Sequence, residues 1–324
     1  MQCAVFFVFN RDAQMRITSE NVGSLQLAKR FRDNSGRVNS LCLAPSGELC
    51  VTSSDDDSIH IYDCVQGKVK SKLYSKKYGC DLIHFAHGAK SVLHASNKVD
   101  NTIRYLSLHD NKYLRYFIGH TQRVVSLATS PSEDLFMTGS YDGTARLWDL
   151  RSNNTQGLLH TSGAPIVSFD PEGVLFAAGI ESSMIKLYDL RTFDRGPFST
   201  FNIQHHGEWI DIQFSNDGKL LLVSTRPGSL LLVDAYTGDL KSVLANTGNG
   251  AALLKGCFSP DGQFVFCGGI DGCVSIWSSS TGRLLTRLQG HTGPVECVVF
   301  NPKLFSLASA SSEVGLWLPD DSDK

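Results

Sequence analysis

One short turn motif recurs seven times along the chain at nearly equal spacing. Each copy has a turn-forming pair such as Pro-Ser, Pro-Asp or Asn-Asp, and the clearest copies end in Gly. The copies are residues 44–47, 86–88, 130–133, 170–173, 215–218, 259–262 and 301–303. The second residues of successive copies lie 40 to 45 positions apart. Because a four-stranded propeller blade occupies about 40–45 residues, the period predicts seven such blades.

Three further columns keep the same period, although they were not used to find it. Eleven positions before each turn residue the chain has Asn34, Lys76, His120, His160, His205, Asn249 and His291. Acidic residues follow the turn at Asp56, Asp142 and Asp271, with Glu313 in place of Asp and Asp100 two positions late. Aromatic or apolar residues come next, at Tyr62, Trp148, Tyr188, Val233 and Trp277, with Trp317 two positions early. The agreement of these columns supports the repeat independently.

The residues between the turns alternate as strands do. An Asp-Gly pair separates two apolar runs at Asp142-Gly143 and again at Asp271-Gly272, which is a strong hairpin signal. Since no stretch has the pattern of a long amphipathic helix, we predict an all-β fold, a seven-bladed β-propeller.

The domain limits follow from the repeat. We predict an N-terminal extension at residues 1–23, a propeller at 24–319 and an acidic tail at 320–324. The last repeat ends too early to supply its own outer strand, whereas residues 24–31 have strand character. Because an open ring would expose two long strand edges, we expect this early segment to pair with the last blade.

Composition excludes several classes of protein. Lys plus Arg number 30 and Asp plus Glu number 32, for a net charge of −2, so the surface as a whole is not committed to nucleic acid or anionic lipid. No apolar run approaches the roughly 20 residues that span a bilayer, and we expect no membrane partner. The nine cysteines are odd in number and form no CxxC pair, which favours reduced core thiols over a zinc site. We expect no metal and no cofactor.

The columns resemble the WD-repeat family. Gly119-His120, Thr138, Asp142 and Trp148-Asp149 form the full signature, and Gly290-His291 to Trp317 is a degraded copy. The resemblance implies that His120, Thr138, Asp142 and Trp148 form a hydrogen-bonded chain inside a blade, which satisfies a buried carboxylate. On paper the first three also suggest a catalytic triad, but their spacing recurs only because the blade recurs.

Two other motifs have a similar explanation. His205 and His206 suggest a metal site, but His205 belongs to the repeating histidine column and no third ligand cluster is evident. The glycine-rich residues 247–250 lack the Gly-Lys-Ser/Thr of a phosphate-binding loop, and we interpret them as a connection between blades.

More unusual segments resemble one particular WD-repeat subunit. They are SSDDDSI at 53–59, LYSKKYG at 73–79, DNTIRYLSLHDNKY at 100–113, FDPEG at 169–173, KLYDLR at 186–191 and WLP at 317–319. They are similar to the WD-repeat subunit of COMPASS-type histone lysine methyltransferases, a family that also serves cleavage-and-polyadenylation and nuclear phosphatase complexes. The resemblance covers residues 24 to 319. It implies a non-catalytic nuclear adaptor that binds a methyltransferase catalytic subunit and couples chromatin modification to transcribing RNA polymerase II.

Partner contacts are expected on the face that carries the histidine and Asp loops. The residues predicted there are Lys76, Lys77, Tyr78, Arg104, Arg123, Tyr141 and Trp209. Tyr, Trp and Arg dominate binding hot spots, and Lys76 replaces a histidine of its column with a cation. We predict that this face binds an acidic or phosphorylated segment. The phosphorylated RNA polymerase II tail is the ligand that the resemblance suggests, and an acidic methyltransferase segment fits the same chemistry.

Other functions remain as alternatives. The chain resembles adaptors generally, so an RNA 3′-end processing, phosphatase or ubiquitin ligase complex is the first alternative. A propeller enzyme is a second, but every His/Asp pair belongs to the repeating network, and an enzyme needs converging reactive groups. Direct sequence-specific binding of nucleic acid is not expected.

Overall fold

The computed structural model describes residues 17–204, 206–226, 228–245 and 254–320. Its strands form seven antiparallel sheets of four strands each. The first strands of neighbouring sheets contact one another around a central channel. The predicted all-β, seven-bladed propeller is therefore confirmed.

The strand limits are as follows. The chain begins with β1 (Leu25–Phe31). Blade 1 contains β2 (Val38–Leu43), β3 (Leu49–Ser54), β4 (Ser58–Asp63) and β5 (Lys68–Tyr74). Blade 2 contains β6 (Asp81–Phe85), β7 (Ser91–Ala95), β8 (Ile103–Ser107) and β9 (Lys112–Phe117). Blade 3 contains β10 (Val124–Thr129), β11 (Leu135–Ser140), β12 (Thr144–Asp149) and β13 (Thr155–His160). Blade 4 contains β14 (Ile166–Phe169), β15 (Leu175–Ile180), β16 (Met184–Asp189) and β17 (Ser199–Asn202).

The remaining blades complete the ring. Blade 5 contains β18 (Glu208–Phe214), β19 (Leu220–Arg226), β20 (Ser229–Asp234) and β21 (Leu240–Ala245). Blade 6 contains β22 (Gly256–Phe258), β23 (Phe264–Gly268), β24 (Cys273–Ser278) and β25 (Leu284–Gln289). Blade 7 contains β26 (Cys297–Phe300), β27 (Leu307–Ala310) and β28 (Val314–Pro319), and β1 is its outer strand.

The pairing of β1 with β28 joins the two ends of the propeller. The register runs antiparallel from Leu25 opposite Pro319 to Phe31 opposite Val314. Side chains add to the backbone ladder, because Arg30 and Arg32 of this region both lie within 3.3 Å of the buried Glu313 carboxylate. The outer edge of β28 is therefore paired rather than exposed.

A short helix, α1 (Ser19–Gly23), precedes β1. The sequence did not reveal this helix, since five residues do not produce a visible helical period. Thr18 caps the helix through the Asn21 N–H, and Val22 is fully buried against the core of blades 6 and 7. The described part of the predicted extension is thus packed on the propeller, while residues 1–16 and 321–324 lie outside the described residues.

The turn that defines the repeat has a simple geometric basis. Gly47, Gly173, Gly218 and Gly262 have φ between 70° and 73°, a region that favours glycine. In each case the glycine N–H donates to the carbonyl three residues earlier, at 2.8 to 3.1 Å. The glycine column therefore marks the same tight turn after the first strand of blades 1, 4, 5 and 6.

Large side chains fill the space between blades. Trp148, Trp317, Tyr62, Tyr188 and Phe266 are among the largest fully buried side chains. Burying a side chain of this size stabilises the fold by roughly 1.5–3 kcal/mol or more. The aromatic column of the sequence is thus a packing column, and it holds neighbouring sheets at the spacing that closes the ring.

Candidate interaction surfaces

Blade 3 contains a closed chain of buried hydrogen bonds. His120 Nδ1 lies 2.8 Å from Asp142 Oδ2, and His120 Nε2 lies 2.8 Å from Thr138 Oγ1. Trp148 Nε1 donates to Thr138 Oγ1 at 2.9 Å. With the His120 proton on Nδ1, the Thr138 hydroxyl donates to Nε2, so every polar atom in the chain has a partner.

Burial and hydrogen bonding also fix the charges in this network. Burial lowers the pKa of His120, which favours the neutral imidazole. Burial of Asp142 opposes its ionisation, but hydrogen bonds from Thr144 and His120 outweigh burial and lower its pKa to about 2. The Thr138 hydroxyl is fully buried, so a substrate on the surface does not reach it, and the three residues act as a structural unit.

Blade 7 has a related network with two substitutions. His291 Nε2 lies 2.6 Å from Ser309 Oγ, and Trp317 Nε1 donates to the same oxygen at 2.7 Å. Glu313 supplies the acid, 3.6 Å from His291 Nδ1. Burial lowers the pKa of His291 to about 4. In this copy Ser replaces Thr and Glu replaces Asp, and the bond between histidine and acid is missing, since His291 Nδ1 has no hydrogen-bond partner among the described residues.

The predicted histidine column does not hold in blades 2 and 4. The main-chain N–H of His291 donates to the carbonyl of Gly272, which lies in the hairpin turn of the preceding blade. This bond marks the position of the column. In blade 2 the residue that makes this bond is Ser75, which donates to the carbonyl of Asp57 at 2.8 Å. The interpretation of Lys76 as a replaced network histidine was therefore wrong by one residue. His160 is exposed, and His205, Asn249 and residues 247–250 lie outside the described residues.

Blade 2 has a different buried network, built around Arg104. The guanidinium makes two hydrogen bonds of 2.8 Å to the Asp100 carboxylate and a third to the Ser96 hydroxyl. Its carbon Cζ lies 3.6 Å from the centre of the Tyr78 ring. Arg104 is only 3% exposed, so the prediction that it contacts a partner directly was wrong. Instead, its guanidinium packs against the Tyr78 ring.

Above this network lies an exposed group of residues, Lys76, Lys77 and Tyr78, which we call the blade 2 surface. Both lysines are exposed and Tyr78 is half-buried. Lys77 Nζ lies 5.0 Å from the centre of the Tyr78 ring, and Lys76 Nζ lies 5.4 Å from that of Tyr74. Two cations are thus held beside aromatic rings on one side of the propeller face, a favourable arrangement for an anion that is also in contact with a ring.

The other predicted residues lie elsewhere, at the mouth of the central channel. Arg123, Tyr141 and Trp209 line one cavity of about 350 Å³ there, which we call the channel mouth. Tyr141 is 53% exposed, whereas Trp209 is only 6% exposed. Trp209, which was predicted to contact a partner, is therefore largely buried. The predicted partner residues form two separate groups.

Ion pairs surround the channel mouth. Arg123 Nη2 lies 2.8 Å from Asp81 Oδ2, Arg37 Nη1 lies 3.2 Å from Glu296, and Arg226 Nη1 lies 3.0 Å from Glu208. A fourth pair joins Lys255 and Asp211 at 3.8 Å. Burial opposes the charge on Lys255, but the neighbouring groups, Asp211 foremost, together outweigh burial and raise its pKa.

Most of these charged residues at the channel mouth were not predicted, although the sequence contains a pattern that indicates them. A charged residue stands at or just before the start of the first strand in six of the seven blades. These residues are Arg37, Asp81, Arg123, Glu208, Lys255 and Glu296. Because strand starts of equivalent blades lie around the same rim, such a column predicts a charged ring at one end of the channel.

Two features are absent from the described part of the chain. None of the helices found there is long and apolar enough to cross a membrane. Within the same residues, no group of three or more His, Cys, Asp or Glu side chains has a metal-binding arrangement.

Comparison with known proteins identifies relatives along almost the whole chain. Residues 25–63, 111–149, 244–278 and 282–313 match the family model of the WD domain, G-beta repeat. WD repeat-containing protein 82 of Drosophila melanogaster is 50% identical over 96% of this chain and 99% of its own length. Set1 complex component swd2 of Schizosaccharomyces pombe is 43% identical over 64% of this chain and 60% of its own length. COMPASS component SWD2 of Saccharomyces cerevisiae is 34% identical over 88% of this chain and 92% of its own length.

Proposed function

The chain belongs to the WD-repeat family of these relatives, and we propose that it is a non-catalytic adaptor subunit of a COMPASS-type histone lysine methyltransferase complex in the nucleus. The observation that carries the proposal is identity at the level of 34–43% to two yeast proteins named as components of the Set1 complex and of COMPASS. The match to the second extends over 88% of this chain and 92% of its own length, far more than one shared repeat.

The geometry is consistent with an adaptor. The triad-like residues of blade 3 are buried and satisfy one another, which leaves no reactive hydroxyl among them at the surface. The described face instead presents a cationic and aromatic surface on blade 2 and a separate charged cavity at the channel mouth. Two spatially distinct surfaces on a rigid ring suit a protein that holds two partners at once.

Affinity purification tests the proposal. The full-length chain, carrying a C-terminal tag, is expressed in nuclei of its own organism, and the bound proteins are identified by mass spectrometry. We expect a SET-domain methyltransferase subunit in amounts comparable with the tagged chain, and no enrichment with the tag alone. Recovery of only 3′-end processing, phosphatase or ubiquitin ligase subunits would contradict the proposal and favour the corresponding alternative.

A finer part of the proposal concerns the second partner. We propose that the blade 2 surface binds the phosphorylated tail of RNA polymerase II, since exposed lysines bind phosphate as point charges and Tyr78 offers a ring beside them. Exposed charges are screened over about 8–10 Å at moderate ionic strength. The affinity for a phosphorylated tail peptide is therefore expected to fall steeply as salt rises, and a salt-independent affinity would argue against this mode of binding.

A further inference from the structure

A groove of about 500 Å³ lies between blades 4 and 5, and we call it the blade 4/5 groove. Its base consists of buried apolar side chains, Leu187, Phe201 and Ala235. The turns at residues 170–173 and 215–218, which follow the first strands of the two blades, border it. The blade 2 surface lies in a connection between two blades, so the groove is on the opposite face of the ring. Its volume is in the range of ligand pockets.

Two exposed aromatic side chains line this groove, one from each blade. Phe198 of blade 4 is 59% exposed and Tyr236 of blade 5 is 74% exposed. Neither ring contacts another aromatic ring or a cation within the described residues. Because exposed apolar side chains grouped around a concave surface mark interaction sites, the two rings indicate that this groove is a docking surface.

The local backbone does not require an aromatic residue at position 236. The Asp234 carboxylate accepts the N–H groups of Tyr236 and Thr237, at 2.9 and 3.0 Å. Blades 1, 3 and 4 have the same turn, in which an Asp side chain accepts the N–H two residues later. The residues at that position there are Val65, Arg151 and Arg191. Since the turn forms with each of them, its geometry does not explain the Tyr236 ring.

Both rings project from an ordered backbone. The Phe198 N–H donates to the carbonyl of Leu187 at 3.0 Å. The chain that carries Tyr236 turns at Gly238, which has φ 76° and lies so close to the Phe201 ring that a Cβ would collide with it. The turn is therefore packed directly on the base of the groove. A surface whose residues are already fixed loses less conformational entropy when a ligand binds.

The charged side chains that line the groove are all acidic. They are Asp170, Glu172 and Asp217, and no Lys, Arg or His lines it among the residues that the structure describes. Asp217 lies 3.4 Å from Lys219 Nζ, whereas Asp170 and Glu172 form no ion pair in the described part of the chain. This excess of negative charge favours a basic segment over an acidic one. The blade 2 surface has the opposite charge, so the two surfaces suit different ligands.

From these observations we propose that the blade 4/5 groove binds an extended segment of a partner protein in which an aliphatic side chain is flanked by basic residues. The aliphatic side chain packs on the base of the groove beside the Phe198 and Tyr236 rings, and a basic residue lies towards Glu172. An aliphatic side chain suits this position because it has no polar atom that needs a hydrogen-bond partner. The inference goes beyond the adaptor role and does not depend on which complex the chain joins.

Fluorine NMR of the full-length chain labelled with 3-fluorotyrosine tests the proposal. The chain contains nine tyrosines, and the Tyr236 signal is assigned by its loss in Tyr236→Phe. The probes are three acetylated, amidated peptides. Ala-Lys-Leu-Lys-Ala has the proposed features, Ala-Lys-Ser-Lys-Ala lacks the aliphatic side chain, and Ala-Glu-Leu-Glu-Ala reverses the charge.

We expect the lysine–leucine peptide to shift the Tyr236 signal saturably at millimolar concentrations. The serine peptide should bind about tenfold more weakly, because it loses the apolar surface that leucine buries. The glutamate peptide should bind about threefold more weakly or worse, because exposed charges contribute less than apolar burial.

Three variants separate the groove from its surroundings. Phe198→Ser removes one ring and is expected to weaken the lysine–leucine peptide about fivefold or more. Leu158→Ser is the matched control, since Leu158 is 44% exposed on β13 and does not line the groove; the affinity should not change. Glu172→Gln keeps the size of the side chain and should reduce the preference for lysine over glutamate. The signals of the other tyrosines report whether each variant is folded.

The inference is overturned if the Tyr236 signal does not move with the lysine–leucine peptide, or if the serine or glutamate peptide binds as tightly. Equal affinity of Phe198→Ser and Leu158→Ser for that peptide would also overturn it. A Tyr236 signal that moves with the concentration of the chain alone would show that a second copy occupies the groove instead of a partner segment. Failure of the complex purification would leave these results unaffected, so the two proposals fail separately.

Discussion

Blades 2 and 3 have the same four-strand plan but satisfy their interiors with different chemistry. Thr138 in blade 3 pairs across the sheet with Arg146, and the corresponding pair in blade 2 is His94 with Arg104. Blade 3 connects a neutral histidine, a hydroxyl and an indole, whereas blade 2 buries a permanently charged guanidinium against Asp100. The place that Trp148 fills in blade 3 is taken by Leu106 in blade 2.

The comparison shows that the two blades share the need for hydrogen-bond partners in their interiors, but meet it with different residues. Each blade must provide partners for the polar atoms that its hairpin buries. Blade 3 does so entirely inside the sheet. Blade 2 does so with a cation that stacks on Tyr78 at 3.6 Å, so its network reaches the surface and supports the group that includes Lys76 and Lys77.

Removal of the acid from blade 2 should have the largest effect on stability. Asp100→Ala leaves the buried Arg104 charge without its carboxylate, and losing one partner of a buried pair typically costs 3–5 kcal/mol. Because Asp100 is itself partly exposed, we expect about 3 kcal/mol. Chemical denaturation measures this, and a loss below about 1 kcal/mol would show that water replaces Asp100 without cost.

The equivalent change in blade 3 should cost less. Asp142→Ala removes the acceptor of His120 and Thr144, but it leaves neutral donors rather than a buried charge. We expect a loss of about 1–3 kcal/mol in the free energy of unfolding. Arg191→Ala, which removes an exposed ion pair, is the control and should leave the free energy of unfolding essentially unchanged. If Asp142→Ala is more damaging than Asp100→Ala, the comparison of the two blades is wrong.

Lowering the pH should reduce the stability that the histidine network of blade 7 contributes. The pKa of His291 is about 4 when folded and about 6.5 when unfolded. The stability that this group contributes is therefore complete above about pH 6.5 and is lost as the pH falls towards 4. Replacing His291 with Gln should reduce the pH dependence of the unfolding free energy in this window by up to one proton, or about 1.4 kcal/mol per pH unit. An unchanged slope would mean that His291 is already protonated in the folded chain.

The smallest effect on stability is expected when the Tyr78 ring, which stacks on Arg104, is removed. Tyr78→Leu removes the cation–π contact but keeps an apolar side chain, and such contacts contribute about 0.5–1 kcal/mol at partly exposed positions. The difference is best measured in a double-mutant cycle with Arg104→Met. A coupling energy near zero would indicate that the stacking at 3.6 Å contributes nothing to stability.

The sequence was sufficient for the ring and for the blade 3 network, because both depend on a period. It was insufficient where one blade departs from the period. From the sequence alone Arg104 was expected to face solvent. The structure shows that it pairs with His94 across β7 and β8 and that its side chain is buried. Trp209 was predicted on the face that carries the histidine and Asp loops, yet Gly179 leaves room for its ring to pack inward.

The separation of roles between the two blades can be tested by one titration. Phosphorylated and unphosphorylated RNA polymerase II tail peptides are titrated against the wild-type chain, Lys76→Glu/Lys77→Glu, and Arg151→Glu/Arg191→Glu. The last variant makes the same change in net charge at exposed sites on blades 3 and 4. We predict that the wild type and the blade 3 and 4 variant prefer the phosphorylated peptide, and that the blade 2 variant binds it about tenfold or more weakly. Equal affinity for both peptides in all three proteins would contradict the assignment of a binding role to blade 2.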